Sequence, residues 1–136
     1  MLKKNFTQIF NNSFDCWIFD LDNTIYDIRL GLFKKISERI TKYIIQKFNV
    51  PFKEALKIQR EFYQKYGLTL RGLILEKKID PHDFLKFVHD VSHPELKKDL
   101  DLKKLLTKIQ GDRYIFTNAS HNHANKILTI LGYCCC

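Results

Sequence analysis

The chain has 136 residues, of which 45% are hydrophobic and 28% charged, and a formal net charge of +8. That make-up predicts a folded domain rather than a disordered segment, and no apolar run approaches the roughly 18 to 20 residues that span a bilayer. The lysines are scattered over almost every predicted helix without a run of like charges or an arginine–aromatic interleave, so a solvated basic surface is expected rather than a nucleic-acid interface.

The opening MLKKNFTQIFNNSF carries no continuous apolar stretch and no small-residue cleavage site. A secretory signal is therefore not expected, and a cytoplasmic location is. Residues Cys16 to Asp20, CWIFD, form a short apolar run ending in a carboxylate, the pattern of a buried parallel strand. In open α/β sheets ligands bind at the C-terminal ends of such strands, where Asp20 stands.

From Leu30 to Phe48 the residues Phe33, Ile36, Ile40, Tyr43, Ile44 and Phe48 recur at helical spacing, and Asn49, Val50 and Pro51 break the pattern. A second helix is expected from about Phe52 to Tyr66, with Gly67 as its stop. GLTLRGL reads as a loop. Pro81 opens a short helix carrying Phe84, Leu85, Phe87 and Val88. A longer one, from about Glu95 to Gln110, is expected to bury Leu102, Leu105, Leu106 and Ile109. Arg113 to Asn118, RYIFTN, then reads as a second buried strand. Ser120 is placed to cap a last helix whose Ala124, Ile127, Leu128 and Leu131 form one stripe before Gly132.

Far more chain separates Asp20 from Thr117 than the roughly 30 residues of a strand–helix–strand unit. The surplus is helical in pattern, which predicts an α/β core from residues 1–27 and 95–136 and a mainly helical insert from Ile28 to Pro94.

The run FDLDNTIYD puts Asp20 and Asp22 two residues apart on the turn leaving the first strand, with Thr24 behind them. Two carboxylates so close can divide labour, one as a nucleophile that also offers oxygen to a hard cation such as magnesium, the other as proton donor and acceptor. A short acidic turn or a helix cap is the simpler alternative. A calcium loop is disfavoured because Ile25 stands where that loop needs glycine and a strand precedes the motif.

FDLDNT resembles the first motif of the haloacid dehalogenase superfamily, and IFTNA resembles its second. DLDNTIY, YGLTLRGL, DPHDFLKFVHDV and FTNASHNHANKILTILG together are similar to its pyrimidine 5′-nucleotidase branch. The resemblance implies a partial Rossmann-like core with an inserted helical cap. It also implies magnesium-dependent hydrolysis of a phosphate monoester, a nucleoside monophosphate, through an aspartyl phosphate. Carried over by position, Asp20 is the nucleophile and a magnesium ligand. Asp22 is the acid/base, with its main-chain carbonyl on the metal. Thr24 braces the turn, and Thr117 with Asn118 binds the phosphate.

The superfamily completes its site with a later lysine and a later acidic residue. Neither is found, and Lys126 falls too early to be that lysine. The chain is therefore expected to be the front part of a hydrolase that is active when whole, with no turnover by this chain alone, or alternatively a truncated, non-catalytic form. His121 and His123, two apart on one helix, are read as solvated. His82, His89 and His93 match no metal spacing and are read as surface or insert residues. Arg71 is equally a surface arginine or a contact for phosphate or base. Cys134, Cys135 and Cys136 receive no function.

Overall fold

The computed structural model describes residues 14–133. The expectations for the opening segment and for the terminal cysteines lie outside them. The chain divides into two compact units. Residues 14–27 and 94–133 belong to one, and Ile28–His93 is the other.

The first unit is α/β. Strand β1 is Cys16–Phe19 and strand β2 is Asp112–Ile115. They pair in parallel, with Cys16 opposite Asp112 and Phe19 opposite Ile115. The ladder is extended at both ends, where the Asp112 amide donates to Asp15 O and the Phe116 amide to Phe19 O, each at 2.9 Å. The Trp17 indole N–H donates to Gln110 O at 2.9 Å and pins the entry to β2. Both strands thus end at the same edge of the sheet.

Neither strand is buried as expected. Ile18 is 68% exposed and Phe116, just past β2, 74%. A two-stranded sheet offers too little surface for layers to close over both faces. The flank of β2 lines an open groove of about 920 Å³ with Leu106, Tyr114, Phe116 and Leu128. Asp20 and Asp22 are not among its lining residues.

The helix expected from Glu95 is shorter, Leu100–Thr107. Its start is set by Asp99, whose carboxylate accepts from the Leu102 amide at 2.8 Å, an N-cap that outcompetes the upstream positions. None of its residues is fully buried. Leu105 is exposed, and Leu102, Leu106 and Ile109 are half-covered. The last helix, His121–Leu131, begins at Ser120, whose side chain accepts from the His123 amide, and stops at Gly132 with φ 89°. Its Ala124, Ile127 and Leu131 are buried as the stripe predicts, and Leu128 is half-buried.

The second unit is helical throughout. After a short 3-10 turn at Ile28–Leu30, it contains α1 Leu32–Phe48, α2 Phe52–Tyr66, α3 Thr69–Lys77 and α4 Pro81–Val88. The last helices are then α5, Leu100–Thr107, and α6, His121–Leu131. Left-handed residues punctuate the unit. Asn49 ends α1 at φ 52° and Gly67 ends α2 at φ 75°. Its core joins Tyr43, Ile44, Ala55, Phe62, Leu73, Phe84 and Val88. Phe33, expected on the inner stripe of α1, is exposed.

The segment read as a loop is α3. Gly72 explains the difference, because its backbone lies against Phe62, close enough that an added Cβ would meet the Phe62 Cγ at 2.5 Å. The glycine that weakens the helix locally allows α2 and α3 to close on each other, and packing overrides propensity. Among the described residues no helix is long and apolar enough to cross a membrane.

Candidate active site

The turn after β1 is built from the main chain outward. Leu21 is fully buried and its carbonyl accepts from the amides of Thr24, at 3.3 Å, and Ile25, at 3.0 Å. Asn23 adopts φ 58°, a left-handed conformation that asparagine tolerates better than most side chains. With Leu21 turned inward, Asp20 is left exposed and Asp22 half-buried.

The Thr24 hydroxyl donates to Oδ2 of Asp20 at 2.8 Å. Asp22 is held from three directions. The Tyr26 hydroxyl donates to Oδ1 at 2.6 Å. The Thr117 hydroxyl donates to Oδ2 at 3.2 Å. Nε2 of His123 lies 3.3 Å from Oδ1. Because an ionised carboxylate only accepts, this last contact is a hydrogen bond when Nε2 carries the ring proton. Thr117 is itself oriented, since its oxygen accepts from the Ala119 amide at 3.0 Å.

Burial pushes the Asp22 carboxyl up, but the donors His123, Tyr26 and Thr117 outweigh it and hold the group below its usual range. The same contact acts oppositely on the phenol. Burial and the neighbouring Asp22 carboxylate raise Tyr26 well above an ordinary tyrosine. The pair is therefore phenol donating to carboxylate at neutral pH.

The structure brings Asp22 and Thr117 together at the shared edge of the strands, with Asp20 beginning the same turn. Asn118 sits exposed in the bend after Thr117. Arg71 is exposed on α3, and His121 and His82 are exposed as expected.

His93, read as a surface or insert residue, belongs to the helical unit and is buried. One histidine departs from expectation. His123, read as solvated, is 2% exposed and reaches Asp22. Residues two apart on a helix do face different ways, as His121 and His123 show. That argument left open which of the two faced inward. The signal was present, because His123 stands at i and i+4 with Ile127 on the buried stripe of α6.

No family model matches the chain. It is 30% identical over 128 residues to Phosphate metabolism protein 8 of Saccharomyces cerevisiae, in an alignment that takes in 85% of this chain. The chain spans 39% of the length of that relative.

Proposed function

We propose that this chain carries the nucleophile and acid/base of a phosphate monoester hydrolase of the haloacid dehalogenase type, acting on pyrimidine nucleoside monophosphates. The observation that supports it most is the Thr117 hydroxyl lying 3.2 Å from the Asp22 carboxylate, at a strand edge that also starts the Asp20 turn. Similarity to a yeast protein named for phosphate metabolism points the same way.

In this reading an oxygen of Asp20 forms a bond to phosphorus as the ester P–O bond breaks, and Asp22 passes its proton to the leaving oxygen. Water then attacks the aspartyl phosphate, Asp22 takes the water proton back, and inorganic phosphate leaves. The donors around Asp22 favour its anion and so suit the second half. A bound phosphate dianion opposes them, because a neighbouring like charge raises a carboxyl pKa, and so favours the first half. Thr117, whose single hydroxyl proton points to Asp22 here, would turn it to a phosphate oxygen when substrate binds.

Magnesium is the cofactor implied, and it supplies charge neutralisation of the phosphate oxygens. The turn offers hard oxygen donors in the Asp20 carboxylate and the Asp22 main-chain carbonyl. The Asn23 Oδ1 is buried there without a hydrogen-bond partner among the described residues. Among the described residues no three His, Cys, Asp or Glu gather in one cluster. Magnesium keeps several waters when bound in this way, so the oxygen donors fit a weakly held ion.

The test is hydrolysis of uridine and cytidine monophosphate by the purified chain with magnesium. Asp20→Asn is expected to lower the rate by roughly three powers of ten or more. Retention of most of the rate sinks Asp20 as nucleophile, whereas strong preference for purine or sugar phosphates removes only the substrate class. The small donor count at the turn favours a second reading, a chain that binds phosphate without turning it over. Phosphate binding without hydrolysis selects it.

A further inference from the structure

We infer that His123 is a positioning residue for Asp22, its buried ring clamping the carboxylate oxygen that the Tyr26 hydroxyl also holds. The inference rests on Asp22 being the acid/base group of the proposed reaction.

A histidine is a poor choice for filling space at this point of α6. Its neighbours on the inward face are Ala124 and Ile127, and its side chain is fully removed from solvent. An aliphatic residue would fill that volume without removing polar ring nitrogens from water. The ring makes a contact that an aliphatic residue cannot, Nε2 to Asp22 Oδ1 at 3.3 Å.

The geometry around Asp22 is that of a locked rotamer. A carboxylate with one donor can swing about its last torsion. Here donors arrive from three places in the sequence: Tyr26 in the turn, Thr117 past β2 and His123 in the first turn of α6. His123 is fixed in turn, because its amide donates to Ser120 Oγ at 3.3 Å. Groups that exchange protons with a substrate need such support, since misplacement by about 1 Å costs on the order of 100-fold in rate.

The test uses the whole chain carrying 13C-labelled aspartate, with the Asp22 carboxyl resonance assigned by Asp22→Asn. His123→Leu is expected to move that resonance and, with p-nitrophenyl phosphate and magnesium, to lower kcat about 100-fold with KM changed less than about twofold. His123→Gln keeps an N–H near the Nε2 position and is expected to restore the resonance and most of kcat. A core-filling histidine predicts the reverse order, with leucine tolerated and glutamine harmful. If His123→Leu leaves both the resonance and kcat as in the wild type, the inference is overturned. Should the leucine variant not fold, the His123 ring 15N signals in Asp22→Asn decide. A shift supports the contact and none overturns it. A wild-type chain without Asp20-dependent turnover removes the phosphatase reading, and the carboxyl resonance alone then decides whether His123 holds Asp22.

Discussion

Thr117 Oγ1 and Asp22 Oδ2 meet at 3.2 Å across a sequence separation of 95. The contact exists because β1 and β2 pair in parallel and end at one edge. Thr117→Val keeps the shape and removes the hydroxyl, leaving the Ala119 amide and one Asp22 oxygen without this partner. The expected loss is about 1 kcal/mol of stability, with Thr117→Ser closer to wild type. Urea unfolding midpoints check it, and equal midpoints for valine and wild type would show that the contact contributes nothing.

Gly72 gives the clearest test of packing in the helical unit. Alanine at a helix interior normally gains about 1 kcal/mol over glycine. Here the new Cβ would stand 2.5 Å from Phe62 Cγ and 2.6 Å from its Cβ. The Phe62 Cβ is fixed to the backbone and cannot swing aside, so α2 and α3 must separate. Gly72→Ala is expected to destabilise by about 1 to 3 kcal/mol. Phe62→Leu keeps both clashing atoms and should not rescue it. A raised melting temperature for the alanine variant would mean that the close approach is wrong.

These two sites also mark what could be read from the sequence. The acidic turn, the helix stops at Asn49, Gly67 and Gly132 and the cap at Ser120 rest on local chemistry, and local patterns reveal them. The helix at Thr69–Lys77 does not, because Gly72 is explained only by Phe62 on a neighbouring helix. The inward turn of His123 lay in between. Its spacing to Ile127 put it on the buried face, but its partner Asp22 lies 101 positions away, beyond any local pattern. The exposure of Ile18 and Phe116 was hidden for a further reason, since an apolar run shows what a strand prefers to bury and not whether anything covers it.

Ser120 links helix capping to the candidate site. Its side chain accepts from the His123 amide at 3.3 Å. Ser120→Ala is expected to cost about 1 kcal/mol and to speed hydrogen exchange in the first turn of α6. The Asp22 carboxyl resonance should move with it, because the same turn carries His123. Faster exchange with an unmoved resonance would separate the cap from the site.

Tyr43 supplies a pH dependence away from the candidate site. It is buried, and its hydroxyl donates to Asp83 Oδ2 at 2.8 Å. Burial first, then the Asp83 hydrogen bond and the charges of Asp83 and Asp80, push the phenol up from 10.0 to about 12. The folded chain therefore holds this proton more tightly than the unfolded one. The associated stability is fully present below pH 10 and is lost as pH rises from there through about 12. Tyr43→Phe removes the titration but keeps the rings of Phe84 and Phe87 packed at 5.0 and 5.4 Å. Lys47, 3.6 Å from Asp83, is present in both chains, so its contribution largely cancels in the comparison. At pH 8 the wild type is expected to be more stable by about 1 kcal/mol, the worth of one hydrogen bond. The gap should narrow between pH 10 and 12, which denaturant midpoints measured at each pH would show. A gap that stays constant across that range would mean that the fold does not hold the Tyr43 proton, and the Asp83 contact would lose its role.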